Sequence, residues 1–298
     1  MNMKISVASV PYFWSQQGYQ DFYRQLADSP VDIVYLGETI CSKRRSMKLQ
    51  DWLAIAELLT QAGKQVVLST LTLLEAESEL SYLTGIASQK DYLIEANDMA
   101  ALQVAHDHSN HFVAGNAINI YNNSSLARLH RIGMTRWCVP VELGKTDLAP
   151  MIESAKALGV EIEYQVFGRL PLAFSARCFT ARHLQLAKDD CQFKCLDYEQ
   201  GILVNTQEGD GFVQINGIQT QSSKVNNLLD RLPELEQSGI DILRVVPVSA
   251  RDTLRVIQHL HALLKNSQEL ADSSFDVDMD YEYCNGYWLQ QEGMKYIA

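Results

Sequence analysis

Several features are missing from the 298-residue chain, and each absence excludes something. No apolar run is long enough to span a bilayer. The first ten residues carry one lysine and a short apolar stretch, with no extended apolar core or small-residue cleavage site behind them. No secretory leader is therefore expected, and the protein is expected in the cytoplasm. There is no basic excess: 25 Lys and Arg face 36 Asp and Glu, a formal net charge of −11, which argues against nucleic acid as the main partner. Short-period repeats and low-complexity linkers are absent. So are a glycine-rich phosphate loop, a His-Glu-x-x-His zinc motif and a nucleophile elbow. Nucleotide-binding fingerprints and the commonest peptidase chemistries thus have no support.

What is present is a globular composition, 47% hydrophobic and 20% charged, with ample material for a full core. Short β-rich runs alternate with longer stretches of helical apolar spacing. Strands are expected at Lys4–Val10, Val31–Leu36, Gln65–Ser69, Tyr92–Ala96, Phe112–Ala117, Arg136–Val141, Glu161–Val166 and Asp241–Val246. Helices are expected at Gly18–Ala27, Gln50–Ala62, Leu71–Ala87, Asp98–His106, Ser124–Ile132, Leu148–Leu158 and Arg251–Leu264. Eight strand–helix units give an α/β fold of the (β/α)8 TIM-barrel type, regular or distorted, with a doubly wound open sheet as the alternative. The whole of 1–298 reads as a single barrel-like domain with a C-terminal tail from about residue 270. Gly63, Gly133, Gly159 and Gly239 stand shortly before strands, where a helix must end. Asp98 reads as the N-cap of the helix beginning at Met99. The acidic run Asp276, Asp278, Asp280 and Glu282 reads as a solvated segment.

The rhythm breaks once, between the seventh and eighth strands. An insertion of about residues 168–240 holds a β-hairpin (Ile202–Thr206 with Phe212–Ile215) and three of the six cysteines. It leaves the C-terminal end of a strand, the face on which barrels build their active sites. Cys191 and Cys195 stand in Cys-Gln-Phe-Lys-Cys, with Cys178 ahead of them by twelve intervening residues. Three cysteines in eighteen residues of a loop are hard to explain as core packing, and disulfides are disfavoured in a reducing compartment. Cys41, just after the second strand, shares that face and ranks ahead of Cys284 as a fourth ligand; Cys138, inside a strand, reads as core. Spacing leaves the metal open. The absence of Cys-x2-Cys knuckles counts against structural zinc, and ligands scattered over loops suit an iron–sulfur cluster somewhat better. Arg177, Arg182 and Lys194 could balance thiolate charge or merely be solvated.

Glu38, Asn97, Asn116 and Gln165 lie near strand C-termini, where they could hold a substrate, orient ligands or only cap helices. His106, His108 and His111 crowd a segment on the opposite face that reads as a hydrophilic surface loop. His259 and His261, two apart on a helix, point in different directions.

The run Glu163-Tyr164-Gln165-Val166-Phe167-Gly168, continuing to Phe174-Ser175-Ala176-Arg177-Cys178, resembles the signature of the collagenase-like peptidase family. Typical members have two cysteines after the glycine; here Pro171 holds the earlier position and only Cys178 matches. A branch of that family acting in ubiquinone biosynthesis is similar over effectively the whole chain. The likeness includes Gly37-Glu38-Thr39-Ile40-Cys41-Ser42-Lys43-Arg44-Arg45 and Asn285-Gly286-Tyr287-Trp288. The resemblance implies that Cys41, Cys178, Cys191 and Cys195 are the ligands of a [4Fe–4S] cluster, with zinc the alternative. It also implies a heterodimer with a paralogous UbiU-type subunit and oxygen-independent hydroxylation of a small aromatic, prenylated quinone precursor. Prephenate would be the hydroxyl donor. A fully thiolate-ligated cluster would have no open iron site, which favours electron transfer or structure over direct activation. No peptidase activity is expected.

Overall fold

The computed structural model describes residues 3–265 and 279–298. In chain order the elements are β1 (Lys4–Val7), α1 (Gln16–Ala27), β2 (Ile33–Leu36), α2 (Leu49–Gln61), β3 (Gln65–Ser69), α3 (Glu77–Ala87), β4 (Leu93–Ala96), α4 (Met99–Asp107), β5 (Phe112–Ala114), α5 (Asn123–Arg131), β6 (Met134–Cys138), α6 (Lys145–Ala157) and β7 (Glu161–Phe174). The insertion adds α7 (Phe179–His183), β8 (Ile202–Asn205), β9 (Gly211–Asn216), β10 (Gln219–Asn227) and α8 (Leu232–Ser238). Then come β11 (Ile242–Val245), α9 (Ala250–Lys265) and β12 (Tyr283–Cys284).

β1 to β7 pair in sequence, all parallel, and β11 pairs in parallel with both β7 and β1. Lys4 lies opposite Ile242, and Ile242 opposite Glu163, so the sheet closes into an eight-stranded barrel and the open-sheet alternative is excluded. All eight expected strands form, most of them a few residues shorter than expected. Asp98 caps α4 as expected, accepting a bond from Ala100 N at 2.7 Å. Gly63, Gly133, Gly159 and Gly239 all take positive φ. Of the acidic run, Asp280 and Glu282 are exposed, and Asp276 and Asp278 lie outside the described residues.

The seventh strand departs from expectation. It does not stop near Val166 but runs on to Phe174, leaving the barrel to pair antiparallel with β10. Gly168 reads as a breaker in the sequence, yet here it is the point of handover. With φ +112°, a Cβ at this position would overlap the Val246 carbonyl oxygen of the strand end beside it. The β8–β9 hairpin forms as expected, and β10 adds a third strand that periodicity missed.

Most apolar burial lies between the strands and the helix ring, where Phe22, Tyr23, Leu59, Leu126 and Leu260 are fully buried. The barrel interior is different. Only a small apolar group, including Ile33, Val67 and Val113, fills it with Tyr35 and Cys138. Above and beside them run paired charges. Arg244 donates to Glu95 at 2.6 Å and to Glu163 at 2.9 Å, with its guanidinium 4.3 Å from the Tyr35 ring centroid. Glu163 also accepts from Ser6 at 2.7 Å and from Tyr35. Arg136 reaches Glu161 at 2.8 Å and Tyr35 at 3.2 Å.

Removing one member of such a buried network leaves the others uncompensated, at about 3–5 kcal/mol. Glu163→Ala is therefore expected to lower unfolding free energy in urea by roughly that amount, about 3–5 kcal/mol. A loss under 1 kcal/mol would show that solvent already screens the interior.

Candidate metal centre

The loop after β2 carries Cys41, and a single carboxylate shapes it. Glu38 Oε1 accepts from Ile40 N at 2.9 Å and from Cys41 N at 3.0 Å, turning the chain back over the barrel rim. Glu38 is thus an orienting residue for the first cysteine. Burial pushes its carboxyl up, while Arg44 and these two N–H groups pull it back. Cys178 sits at the N-terminus of α7, its Sγ accepting from Ala181 N at 3.5 Å. Between Cys191 and Cys195, Gln192 and Phe193 both adopt left-handed φ, +51° and +52°. That reversal of two non-glycine residues folds the pair back on itself, at a cost of about 1–3 kcal/mol each.

The insertion is tied to the Cys41 loop by several bonds. Lys43 Nζ donates to Lys188 O at 3.0 Å and pairs with Asp189 at 2.7 Å. Arg44 Nη2 donates to Asn216 Oδ1 at 2.7 Å, and its Nη1 to Pro11 O at 2.8 Å. The rings of Phe13 and Phe193 stand 6.2 Å apart. These ties bring the four expected cysteines into one electrostatic neighbourhood. Burial raises the Cys41 thiol and the nearby Cys178 adds to the rise; burial likewise raises Cys195, with Cys178 and Cys191 adding to it. All four are partly exposed.

The remaining two cysteines stand apart. Cys138 is 2% exposed inside the barrel, its sulfur 3.5 Å from Arg244 Nη1. Cys284 is fully buried with Val141 and Leu170, and burial pushes its thiol up to about 12. The cations that face the thiols are Arg44 and Lys43 rather than those expected. Arg177 and Arg182 are exposed, and Lys194 pairs with Asp197 at 3.3 Å. Arg44 is 5% exposed and its Nε has no hydrogen-bond partner. No pattern in the sequence distinguished Arg44 from its neighbours Lys43 and Arg45.

Among the described residues, no three His, Cys, Asp or Glu side chains converge on a single metal-ion position. One zinc ion needs its sulfurs about 2.3 Å from one point. His106 and His111 are exposed, and the His108 ring lies against Val104 O at 2.9 Å.

Beside the thiols, the barrel mouth holds a polar cavity. Asn97, Asn116 and Gln165 line it, together with Glu95, Arg169 and Arg244, which sequence reasoning did not single out. Asn97 donates to Thr70 O at 3.0 Å, and Gln165 donates to Gly168 O and Arg169 O at 3.1 and 3.0 Å. Ile40, next to Cys41, lines the same cavity.

The sequence matches the description Peptidase family U32 over residues 17–283. The chain belongs to that family. Solved structures similar to it include tryptophan synthase from M. tuberculosis, at 10% identity and a TM-score of 0.46, covering 88% of this chain and 92% of the other. Tryptophan synthase from Pyrococcus furiosus has 12% identity and a TM-score of 0.45, covering 90% and 97%. A type I 3-dehydroquinate dehydratase from Clostridium difficile has 10% identity and a TM-score of 0.44, covering 89% and 94%.

Two outcomes are expected of the site. In metal-free native protein, iodoacetamide should label Cys41, Cys178, Cys191 and Cys195, while Cys138 and Cys284 react only after denaturation, as read by peptide mass spectrometry. Arg44→Met should weaken metal retention about 10- to 100-fold, the usual effect of losing a residue that supports metal ligands. The chelator concentration that strips the metal measures this. Retention equal to wild type would remove Arg44 from the site.

Proposed function

We propose that the chain is the UbiV-type member of the family. It would hold a [4Fe–4S] cluster through Cys41, Cys178, Cys191 and Cys195 and act with a paralogous UbiU-type subunit in oxygen-independent hydroxylation of a prenylated aromatic quinone precursor. The observation that carries this reading is the selective grouping of these four cysteines on the C-terminal rim of the barrel, while the other two are buried elsewhere. Pro171, at the position where typical relatives have a cysteine, lines the mouth cavity beside Ile40, so Cys41 reaches the site from the neighbouring loop.

The group would supply one-electron chemistry that ordinary side chains do not. The chain's own residues do the rest. Glu38 holds the Cys41 loop in place through the backbone. Arg44 and Lys43 offset thiolate charge, and the Ala181 amide donates to Cys178. With the Cys41 and Cys195 thiols raised by burial, loading the site releases protons, so it should load more readily as pH rises. In this reading prephenate is the hydroxyl donor; Arg169 and Arg244 line the polar mouth, Arg244 already paired with Glu95 and Glu163. No helix of the described residues is long and apolar enough to cross a membrane.

Iron and acid-labile sulfide assays on anaerobically isolated protein test the reading, with absorption spectra before and after dithionite. About four iron and four sulfide per chain, lost in Cys41→Ser, is the expected result. One zinc and no sulfide would replace the redox reading with a structural one.

A further inference from the structure

A second cavity lies between the Cys41 loop and the starts of α2 and α3, and no cysteine lines it. Its volume is about 340 Å³. The lining has two parts. Met47, Leu49, Leu71 and Tyr82 form an apolar wall, with Met47 and Leu71 buried. Ser42, Arg45, Lys48 and Ser78 form a polar rim, and Arg45, Lys48 and Ser78 are exposed. An apolar cavity of about 150 Å³ takes benzene, so this one has room for a chain of about eight carbons.

The charges of the lining are unequally committed. Both of its acids already have donors. Glu38 Oε1 accepts from Ile40 N and Cys41 N and stands 3.8 Å from Arg44 Nη1. Glu79 Oε2 accepts from Glu75 N at 2.6 Å and from Ala76 N at 3.2 Å. The cations have capacity left. Among the described residues neither Arg45 nor Lys48 has an acidic partner; Arg45 Nε donates to Ser42 O at 3.3 Å. Arg44, buried in the same lining, has an Nε without a hydrogen-bond partner. Two helices also begin here, Leu49 being the first residue of α2 and Ser78 the second of α3. The first amides of a helix lack internal acceptors, and its dipole favours an anion at that end.

A wholly apolar ligand would leave these cations and amides unanswered, and a bare inorganic anion would leave the apolar wall in water. A molecule with both parts answers both. Two cations and two helix starts suit the three acceptor oxygens and nearly double charge of a phosphate better than a carboxylate. We propose that this cavity binds a phosphate monoester of a single apolar chain. The chain lies against Met47, Leu71 and Tyr82, and Arg45, Lys48 and the first amides of α2 and α3 hold the phosphate. The inference does not rest on the function proposed above. Ser42, Arg44 and Arg45 belong to the loop that carries Cys41, so one segment holds both the ligand and the first cysteine.

The test is calorimetric titration of the full chain, as isolated anaerobically, with octyl phosphate, octanol and inorganic phosphate, each below any micellar concentration. Octyl phosphate is expected to bind at least about tenfold tighter than either other probe, since each lacks one half of the interaction. Its affinity should fall as salt is raised. The double variant Arg45→Gln and Lys48→Gln, at exposed positions, should bring octyl phosphate down to the affinity of octanol. Leu71→Trp should remove its advantage over inorganic phosphate, with circular dichroism to identify a variant that fails to fold. Octanol or inorganic phosphate binding as tightly as octyl phosphate, unchanged affinity in the double variant, or no binding of octyl phosphate by wild type would each overturn the proposal.

Discussion

Closure of the barrel depends on placing charge where barrels ordinarily place branched aliphatic side chains. Arg244, on the last barrel strand, lies between Glu95 on β4 and Glu163 on β7 and stacks on Tyr35 of β2. Buried ions of this kind contribute little net stability relative to an apolar core, but they tolerate few arrangements. Four strands are thereby held in one register, and the upper part of the network forms the floor of the mouth. Ser69 and Asn97 both bond Glu95 Oε2, at 2.6 and 3.3 Å. The polar cavity above is therefore an extension of the interior rather than a separate construction.

The thiol site depends on a different device. An insertion connected through flexible chain would hold its cysteines poorly. Here β7 leaves the barrel without a break and becomes an edge of the β8–β10 sheet, so Cys178 follows directly from a strand anchored in the core. Lys43 and Arg44 then fasten the far side of the insertion to the loop after β2. Glu38, buried at the rim, accepts from the Ile40 and Cys41 amides and so sets the course of the loop that carries the first cysteine.

Much of this was legible in the sequence. The eight strands announce themselves through β-branched runs at regular intervals, and Asp98 before Met99 is a local signal that tertiary packing does not override. Spacing and strand order also put Cys41, Cys178, Cys191 and Cys195 on one face, and all four are partly exposed. Three things were not. The extension of β7 is hidden because Gly168 and Pro171 punctuate it, and both are tolerated only through contacts distant in sequence: the close approach to Val246 and a register shift opposite Gln221. The charges of the interior are spread over strands β4, β6, β7 and β11, and each alone passes for an exposed position. Arg44 differs from Arg45 only in the direction it faces, which the one-dimensional pattern does not encode.

The order in which the barrel is made gives the interior network a further consequence. On the ribosome, β1 to β7 emerge well before β11, because the whole insertion must be translated between them. During that interval a partly closed sheet would hold Glu95 and Glu163 without Arg244, their shared counter-ion. Glu163 would then have only Arg136, 3.8 Å away, as a cation and Glu95 would lack its Arg244 partner, so drying the interior is costly before β11 is in place. The strand that seals the barrel is the strand that neutralises it, so sealing and neutralisation occur as one event, after the cysteines of the insertion have already been synthesised.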